Sequence, residues 1–405
     1  MPPKTARQRG WIAGPLLKGL FVLGLIGVGC WPPNPLWRGD QLPPAAERPP
    51  EPEPPVRFPK PEHVRGIYLT AWSAGSKSRM DQVLGLLERT ELNAVVIDVR
   101  DQGYVYWKTG IALADEAGAT RVAVPRPEEL MARLEEYGIY PIARISCFQD
   151  AFVPKKRPER AIQTEKGTPW KERNGSTWLD PYNRENWEYI GQVVDFALDM
   201  GFPEIQLDYV RFPSEGRISS AVFPARADYP ESDAEKTEVI AAFAQFIKER
   251  MAGRNAVLSA DLFGIISISD SDQGIGQQLE TIAEPFDLIC PMVYPSLYAR
   301  GEYGFRNPAT VPYEIVKRSL ARFIERVPEK PIRPWIQDFS LRVKYGVDEV
   351  EAQIKAAKEL GIEEYLLWNP RNRYTEEAVV DTSGLVEPED TGDGDPGEQP
   401  PDIGP

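Results

Sequence analysis

The sequence predicts a (β/α)8 TIM barrel, the α/β fold in which eight parallel strands alternate with helices. Three observations predict it. Eight short apolar runs recur between residues 64 and 370, a helix-like stretch follows nearly every run, and most runs end in a charged, amide or aromatic residue. Barrels of this kind typically take about 250 residues, and their active sites sit at the carboxyl ends of the strands.

The runs, in order, are Val64–Trp72, Ala94–Asp101, Tyr140–Phe148, Glu204–Phe212, Val257–Gly264, Asp287–Pro295, Ile332–Phe339 and Glu364–Pro370. Between them, Arg79–Thr90 has apolar residues at helical spacing. Pro127–Tyr137 opens on a proline, which suits the first turn of a helix. Asn183–Met200 is amphipathic and stops at Gly201, a C-cap position. Asp233–Met251, Pro312–Arg326 and Val347–Leu360 follow the same logic, the last stopping at Gly361. Two connections are long for their place, Gln149–Asp180 after strand three and Pro213–Ser232 after strand four. Long loops on the active face of a barrel build the substrate cleft.

The barrel is expected to occupy residues 62–381, with three further segments around it. Residues 1–30 carry Lys4, Arg7, Arg9 and Lys18 and then the apolar stretch Gly19–Gly29, the basic-then-apolar layout of a signal peptide. The apolar stretch falls short of the about 20 residues of a membrane span. Cys30 directly follows Gly27-Val28-Gly29, which resembles a bacterial lipoprotein signal, where the cysteine is lipidated after cleavage. Gly27 departs from that pattern, which usually has an aliphatic residue there. Lipidation at Cys30 is the first expectation, an uncleaved membrane anchor the second and simple secretion the third. The first two imply a membrane partner and a place in the cell envelope. Residues 31–61 are crowded with proline and glutamate and read as a disordered, semi-rigid spacer. Residues 382–405 read as an acidic disordered tail.

Composition narrows the chemistry. The chain has 405 residues, 42% of them hydrophobic, enough for one large domain. A net charge of −14 argues against a nucleic-acid partner, since phosphates need a basic footprint. The single histidine, His63, lies at the amino-terminal edge of the first strand, away from the expected site. That leaves no place for a Ser-His-Asp triad or a His-rich zinc site. Cys147 and Cys290 lie on strands three and six, which are not neighbours, so they read as buried thiols without a disulfide. No phosphate-binding or dinucleotide motif is present, and no lysine ends a strand. Carboxylate chemistry on a monomer, without a cofactor or bound metal, is the expectation.

Two carboxylates lead. Asp208 ends strand four in Gln206-Leu207-Asp208-Tyr209-Val210-Arg211-Phe212-Pro213, and strand alternation aims it into the barrel mouth. Arg211 follows within reach and favours its charged form. Asp261 ends strand five in Ser259-Ala260-Asp261-Leu262-Phe263. Adjacent strands lie about 4.8 Å apart. Acids at matching heights would therefore approach the ~5–5.5 Å of a retaining glycosidase pair, and a height offset would open the gap toward the ~6.5–9.5 Å of an inverting one. Asp338, ending strand seven beside Gln337, is the alternate partner. Asp98 and Asp101 end strand two; Asp98 is placed to orient hydroxyls or an arginine, and Asp101 to start a turn. Arg144 ends strand three beside Asp208 and is placed to pin a carboxylate or a substrate oxygen. Tyr294, Trp335, Trp368 and Asn369 also lie at strand ends. A rim that mixes aromatic rings with Asp, Asn, Gln and Arg suits a carbohydrate, with about half of the rings expected to be ordinary core.

The segments Ala143-Arg144-Ile145, Phe148-Gln149-Asp150, Trp178–Tyr182, Glu204–Ser214, Ser259–Gly264, Gly274–Gln277, Pro291–Ser296 and Pro334–Phe339 together resemble a bacterial family. It is the DUF4015 type, a (β/α)8 barrel family grouped with glycoside hydrolases. The resemblance runs from about Val64 to Tyr374. It implies a nucleophile at the end of strand four and an acid/base at the end of strand five, places that Asp208 and Asp261 occupy. Enzymes of the wider α-amylase type usually carry Glu as the strand-five acid, whereas this chain has Asp, so Asp338 stays open as the substitute.

Three functions fit these residues. One is a glycoside hydrolase, expected to be retaining, in which Asp208 and Asp261 do the chemistry while Arg144, Arg211 and Asp98 position them. A second is an envelope-anchored glycan-binding protein without catalysis. A third is metal-assisted lyase or racemase chemistry with the same two acids as oxygen ligands, disfavoured by the missing strand-end lysine and usable histidine.

Overall fold

The computed structural model of the chain describes residues 57–229 and 235–380. The signal or anchor at 1–30 with Cys30, almost all of the linker at 31–61 and the tail at 382–405 lie outside the described residues. Eight strands form the barrel: β1 (Arg65–Leu69), β2 (Ala94–Asp101), β3 (Tyr140–Ser146), β4 (Glu204–Asp208), β5 (Val257–Phe263), β6 (Leu288–Met292), β7 (Trp335–Gln337) and β8 (Tyr365–Trp368). Each pairs in parallel with the next, and β8 returns to pair with β1, which closes the cylinder. Each of the eight strands falls within one of the apolar runs, because the strands of a closed parallel sheet are buried along nearly their whole length.

The strand at β7 is shorter than its apolar run. Pro331 and Pro334 carry no N–H for the ladder, so only an isolated bridge, Ile289 to Ile332, precedes Trp335. Helix starts follow their caps. The Asn183 side chain accepts from the Glu185 N–H at 2.9 Å and opens the helix Arg184–Asp199. That helix closes into Gly201, whose φ of 89° is a left-handed conformation that glycine adopts without strain. The helix Lys77–Glu88 begins before the periodicity does, because Ser76 caps it by accepting from the Arg79 N–H.

Several small elements escaped the sequence reading, two of them at the ends of β1 and β2. A one-turn helix, Ala71–Ala74, follows β1, and a two-residue strand, Tyr104–Val105, folds back antiparallel on the end of β2. The hairpin turn is Gln102-Gly103, both with positive φ (48° and 89°), the geometry that two-residue hairpins require. A Cβ on Gly103 would meet the Asp150 carboxyl at 2.7 Å. Packing also starts earlier than the barrel boundary at 62, since Phe58 is buried and Arg57 bonds Glu135 at 2.8 Å. Cys147 and Cys290 are buried free thiols. Among the described residues, no helix is long and apolar enough to cross a membrane.

The long loop after β3 is not structureless. It pairs with its own return through Gln149–Trp178 and Ala161–Leu179, and with the loop after β4 through Gln163–Val222. At the amino-terminal ends of the strands, inside the cylinder, Arg333 lies 2.8 Å from Glu204 and 2.7 Å from Glu364. Ser259 Oγ adds a bond to Glu204 at 2.7 Å. Arg333 and Glu204 are fully buried, so each charge depends on the other. Removing one partner of such a pair typically costs about 3–5 kcal/mol. Arg333→Met is therefore expected to lower the unfolding free energy measured by urea titration by about that amount, and a value equal to the wild type would disprove the dependence.

Candidate active site

At the opposite, carboxyl ends of the strands, in-facing residues of β1 to β5 converge on one guanidinium. The register explains why. Ser146 of β3 lies beside Asp208, and Leu207 of β4 lies beside Ala260, so Asp208 and Asp261 stand at the same level of neighbouring strands. Arg144 lies two residues below Ser146 on β3, on the same side as the acids. Its Nε and Nη2 donate to Asp208 Oδ2 at 3.0 and 2.5 Å. Its Nη1 donates to Asp98 Oδ1 at 2.5 Å and to Asp101 Oδ1 at 3.1 Å. The Nε also lies 4.0 Å from Asp261 Oδ2. One arginine thus gathers four carboxylates from three strands.

The remaining groups fix this cluster from the sides. Tyr68 of β1 donates its hydroxyl to Asp98 Oδ2 at 2.6 Å, and Trp335 of β7 donates its indole N–H to Asp261 Oδ1 at 2.6 Å. Trp368 of β8 stacks on Tyr68 with centroids 4.0 Å apart and meets Trp335 edge-on at 5.4 Å. The Arg144 guanidinium lies over Tyr68 at 5.6 Å and Trp368 at 5.3 Å. Asp208 Oδ1 accepts the Tyr209 N–H at 2.6 Å, made possible by a left-handed turn (φ 49°) at Tyr209 directly after the strand.

Burial and charge balance together set the protonation. One guanidinium cannot neutralise four acids, and the site is nearly dry. Arg144, Asp98 and Asp261 have side chains no more than 4% exposed, whereas Asp208 keeps 10% and Asp101 19%. Burial lowers the proton affinity of Arg144, and Asp208, Asp98 and Asp101 more than reverse that, holding its charge firmly. Burial and then the neighbouring Asp208 charge raise the Asp261 carboxyl well above its ordinary range, and Arg144 and Trp335 oppose this only in part. Burial likewise pushes Asp98 up to about 7 despite its bonds from Arg144 and Tyr68. Tyr294, after β6, is buried near both Asp261 and Asp208, and its hydroxyl is held protonated by burial and by their charges. The cluster therefore pairs a partly open, donor-bound carboxylate with a buried one that keeps its proton.

Several expected site residues do other work. Arg211 does not reach Asp208; that place belongs to Arg144. Arg211 lies over Phe263, Trp178 and Tyr209 and donates to Phe212 O at 2.9 Å. Asp338 turns to Thr375, accepting its N–H at 2.8 Å and its hydroxyl at 2.6 Å, and burial pushes it up to about 6. Gln337 ties the loop after β6 to β7 through Ser296, at 2.8 and 3.0 Å. Asn369 holds the last loop, with its amide on the carbonyls of Asp338 and Arg373. Asp101, read from sequence as a turn former, belongs to the cluster, and Tyr68 was missed. Its signal was available: on β1, Tyr68 is an aromatic hydroxyl one step inside the strand end, level with Val96 of β2.

The comparisons with known proteins bear on the family and the barrel. Residues 66–374 match the DUF4015 family, described as "Putative glycosyl hydrolase domain", and the chain belongs to that family. No curated protein matches it. A hypothetical protein from Ruminiclostridium thermocellum is 35% identical over 48% of this chain and 96% of its own, with a TM-score of 0.43. The PgaB (BpsB) glycoside hydrolase domain from Bordetella bronchiseptica superposes with a TM-score of 0.57 at 14% identity, covering 76% of this chain and 94% of that one. The α-galactosidase TtGalA from Thermus thermophilus, in complex with stachyose, superposes with a TM-score of 0.50 at 16% identity, covering 78% of this chain and 64% of that one. At these identities the last two show a shared barrel.

The two raised carboxyls give a stability signature. A buried acid that holds its proton more tightly folded than unfolded stabilises the fold below the ordinary carboxylate range, near pH 4, and that contribution is lost as pH rises. For Asp98 the loss extends to about pH 7. The unfolding midpoint of the wild type is expected to fall between pH 4 and pH 7, and Asp98→Asn is expected to flatten that slope. An unchanged slope in the variant would show that Asp98 is not a proton holder.

Proposed function

We propose that this member of the glycosyl hydrolase family is a two-carboxylate glycosidase, with Asp208 as nucleophile and Asp261 as acid/base. The observation that carries the reading is the unequal pair at the carboxyl ends of β4 and β5. Asp208 is fixed by Arg144 and by the Tyr209 N–H and is open to solvent at one edge. Asp261 is buried beside it with a raised proton affinity. Environments that push two acids apart mark the acid and its partner.

In the reaction, Asp261 gives its proton to the leaving glycosidic oxygen while Asp208 attacks the anomeric carbon. The same Asp261, now anionic, then takes a proton from water, and that water releases the sugar from Asp208. Neighbouring strands stand about 4.8 Å apart, and Arg144 Nε touches both acids, at 3.0 and 4.0 Å. Both facts support the close spacing of about 5–5.5 Å that retaining enzymes use. Arg144 holds Asp208 in its attacking orientation, and Asp98 with Tyr68 holds Arg144. Trp335 aims Asp261. Stacked Tyr68 and Trp368 wall the site with aromatic surface suited to a sugar ring.

One observation favours a second reading, a glycan-binding protein without turnover. Asp261 is only 2% exposed, so a leaving oxygen reaches it only after the mouth opens. The two readings separate on chemistry. With a panel of aryl glycosides, Asp208→Asn is expected to lower kcat at least about a thousandfold while the far-ultraviolet circular dichroism stays the same. Asp261→Asn is expected to spare substrates with an acidic phenol leaving group, which needs no proton, and to lose those with poor leaving groups. Turnover that survives Asp208→Asn sinks the assignment, and binding with no turnover in the wild type supports the second reading.

A further inference from the structure

Beyond the acid cluster, the hairpin on β2 carries a set of rings that the proposed chemistry does not use. Asp101 and Tyr104 are cross-strand partners, so they share one face of the hairpin, and Tyr106 follows two residues later. Asp101 reaches Arg144 at 3.1 Å, so that face looks into the mouth of the barrel. Tyr104 and Tyr106 stack with centroids 5.7 Å apart. Trp72, on the one-turn helix after β1, meets Tyr106 edge-on at 6.3 Å, and Phe152 supports Tyr104 at 4.3 Å. Arg121 lies over Trp72 at 5.3 Å and over Tyr104 at 5.7 Å, bracing both rings. Tyr106 is close enough to Asp101 and Asp98 that their charges help hold its hydroxyl protonated, after burial. Trp72 nevertheless keeps half its surface (50%) in solvent, whereas most of the large rings among the described residues are buried.

We propose that Trp72, Tyr104 and Tyr106 form a distal subsite for a neutral polysaccharide chain whose cleavage point lies at Asp208 and Asp261. This rests on the glycosidase reading and extends it from a sugar to a polymer. The weakly positive C–H face of a pyranose seats on the negative face of an aromatic ring. A shelf continuous with the acid cluster through Asp101 places one such seat for sugars away from the scissile bond. The polymer is taken as neutral because the accessible acids of the mouth, Asp208 and Asp101, outnumber the one guanidinium that they share and the chain carries a net charge of −14, which disfavours a polyanion. Binding energy from remote sugars is the usual means of positioning a chain over its reacting bond.

The test uses the full chain carrying Asp208→Asn, so that binding is read without cleavage. The probes are soluble neutral glucans, mannans and galactans and their disaccharides, with affinity gel retardation for the polymers and tryptophan fluorescence for the disaccharides. At least one polymer is expected to be retained, and adding Trp72→Ala is expected to shift the ratio of polymer to disaccharide affinity by about tenfold. Trp72→Phe is expected to restore most of it. An unshifted ratio, or retention of no polymer, overturns the subsite. Cleavage of the retained polymer by the wild type and by Trp72→Ala with equal KM overturns the subsite and leaves the hydrolase standing. Retention through Trp72 with no cleavage by the wild type keeps the shelf and removes the hydrolase.

Discussion

Arg144 is the constraint on which the site depends. It stands in a nearly dry barrel mouth and donates to Asp208, Asp98 and Asp101 at once. Without it, four carboxylates from three strands would face one another across low-dielectric space, where an unpaired buried charge is very costly. With it, the cluster is still short of positive charge. Burial first, and that shortage after it, raise the proton affinity of Asp261 and Asp98 in a site whose most accessible members are Asp208 and Asp101. A single guanidinium thus both assembles the acids and keeps them unequal, and inequality is what two-carboxylate chemistry requires.

The barrel makes such a cluster possible because its interior is built in levels. At the lower level Glu204 and Arg333 form a closed pair with Glu364 and Ser259 around them. At the upper level Asp208 and Arg144 are one member of a larger, open set. Both levels use the same strand, β4, with acids at its first and last residues. The lower pair is buried from solvent, which suits a structural role. The upper acids meet solvent at Asp208 and Asp101, which suits contact with a substrate.

Loops finish what the strands begin. The turn at Tyr209 bonds Asp208, and beyond it Arg211 lies over Phe263 and Trp178. The loop after β8 takes up Asp338 and Asn369 for its own closure through Thr375 and Arg373. The hairpin at Gln102-Gly103 aims Asp101 inward and sets Tyr104 beside it. Side chains that look equivalent as strand-end residues therefore divide into those that face the mouth and those that hold the rim.

The strands were legible because each is a buried apolar run, and the closed parallel sheet follows from eight of them alternating with helices. The register followed too: Asp208 and Asp261 end adjacent strands, and a period of two fixes which residues face inward. The sequence by itself thus determined the barrel, the carboxyl-end face and the strand-end residues available there. Only the tertiary structure decided which of them meet. Arg144 rather than Arg211 holds Asp208, Asp101 joins the cluster instead of merely turning the chain, and Asp338 leaves it for Thr375. The reason is physical: strand direction is set by local periodicity, whereas the partner of a charged side chain is set by loop turns such as those at Tyr209 and Gln102 and by the competition of several acids for one buried cation.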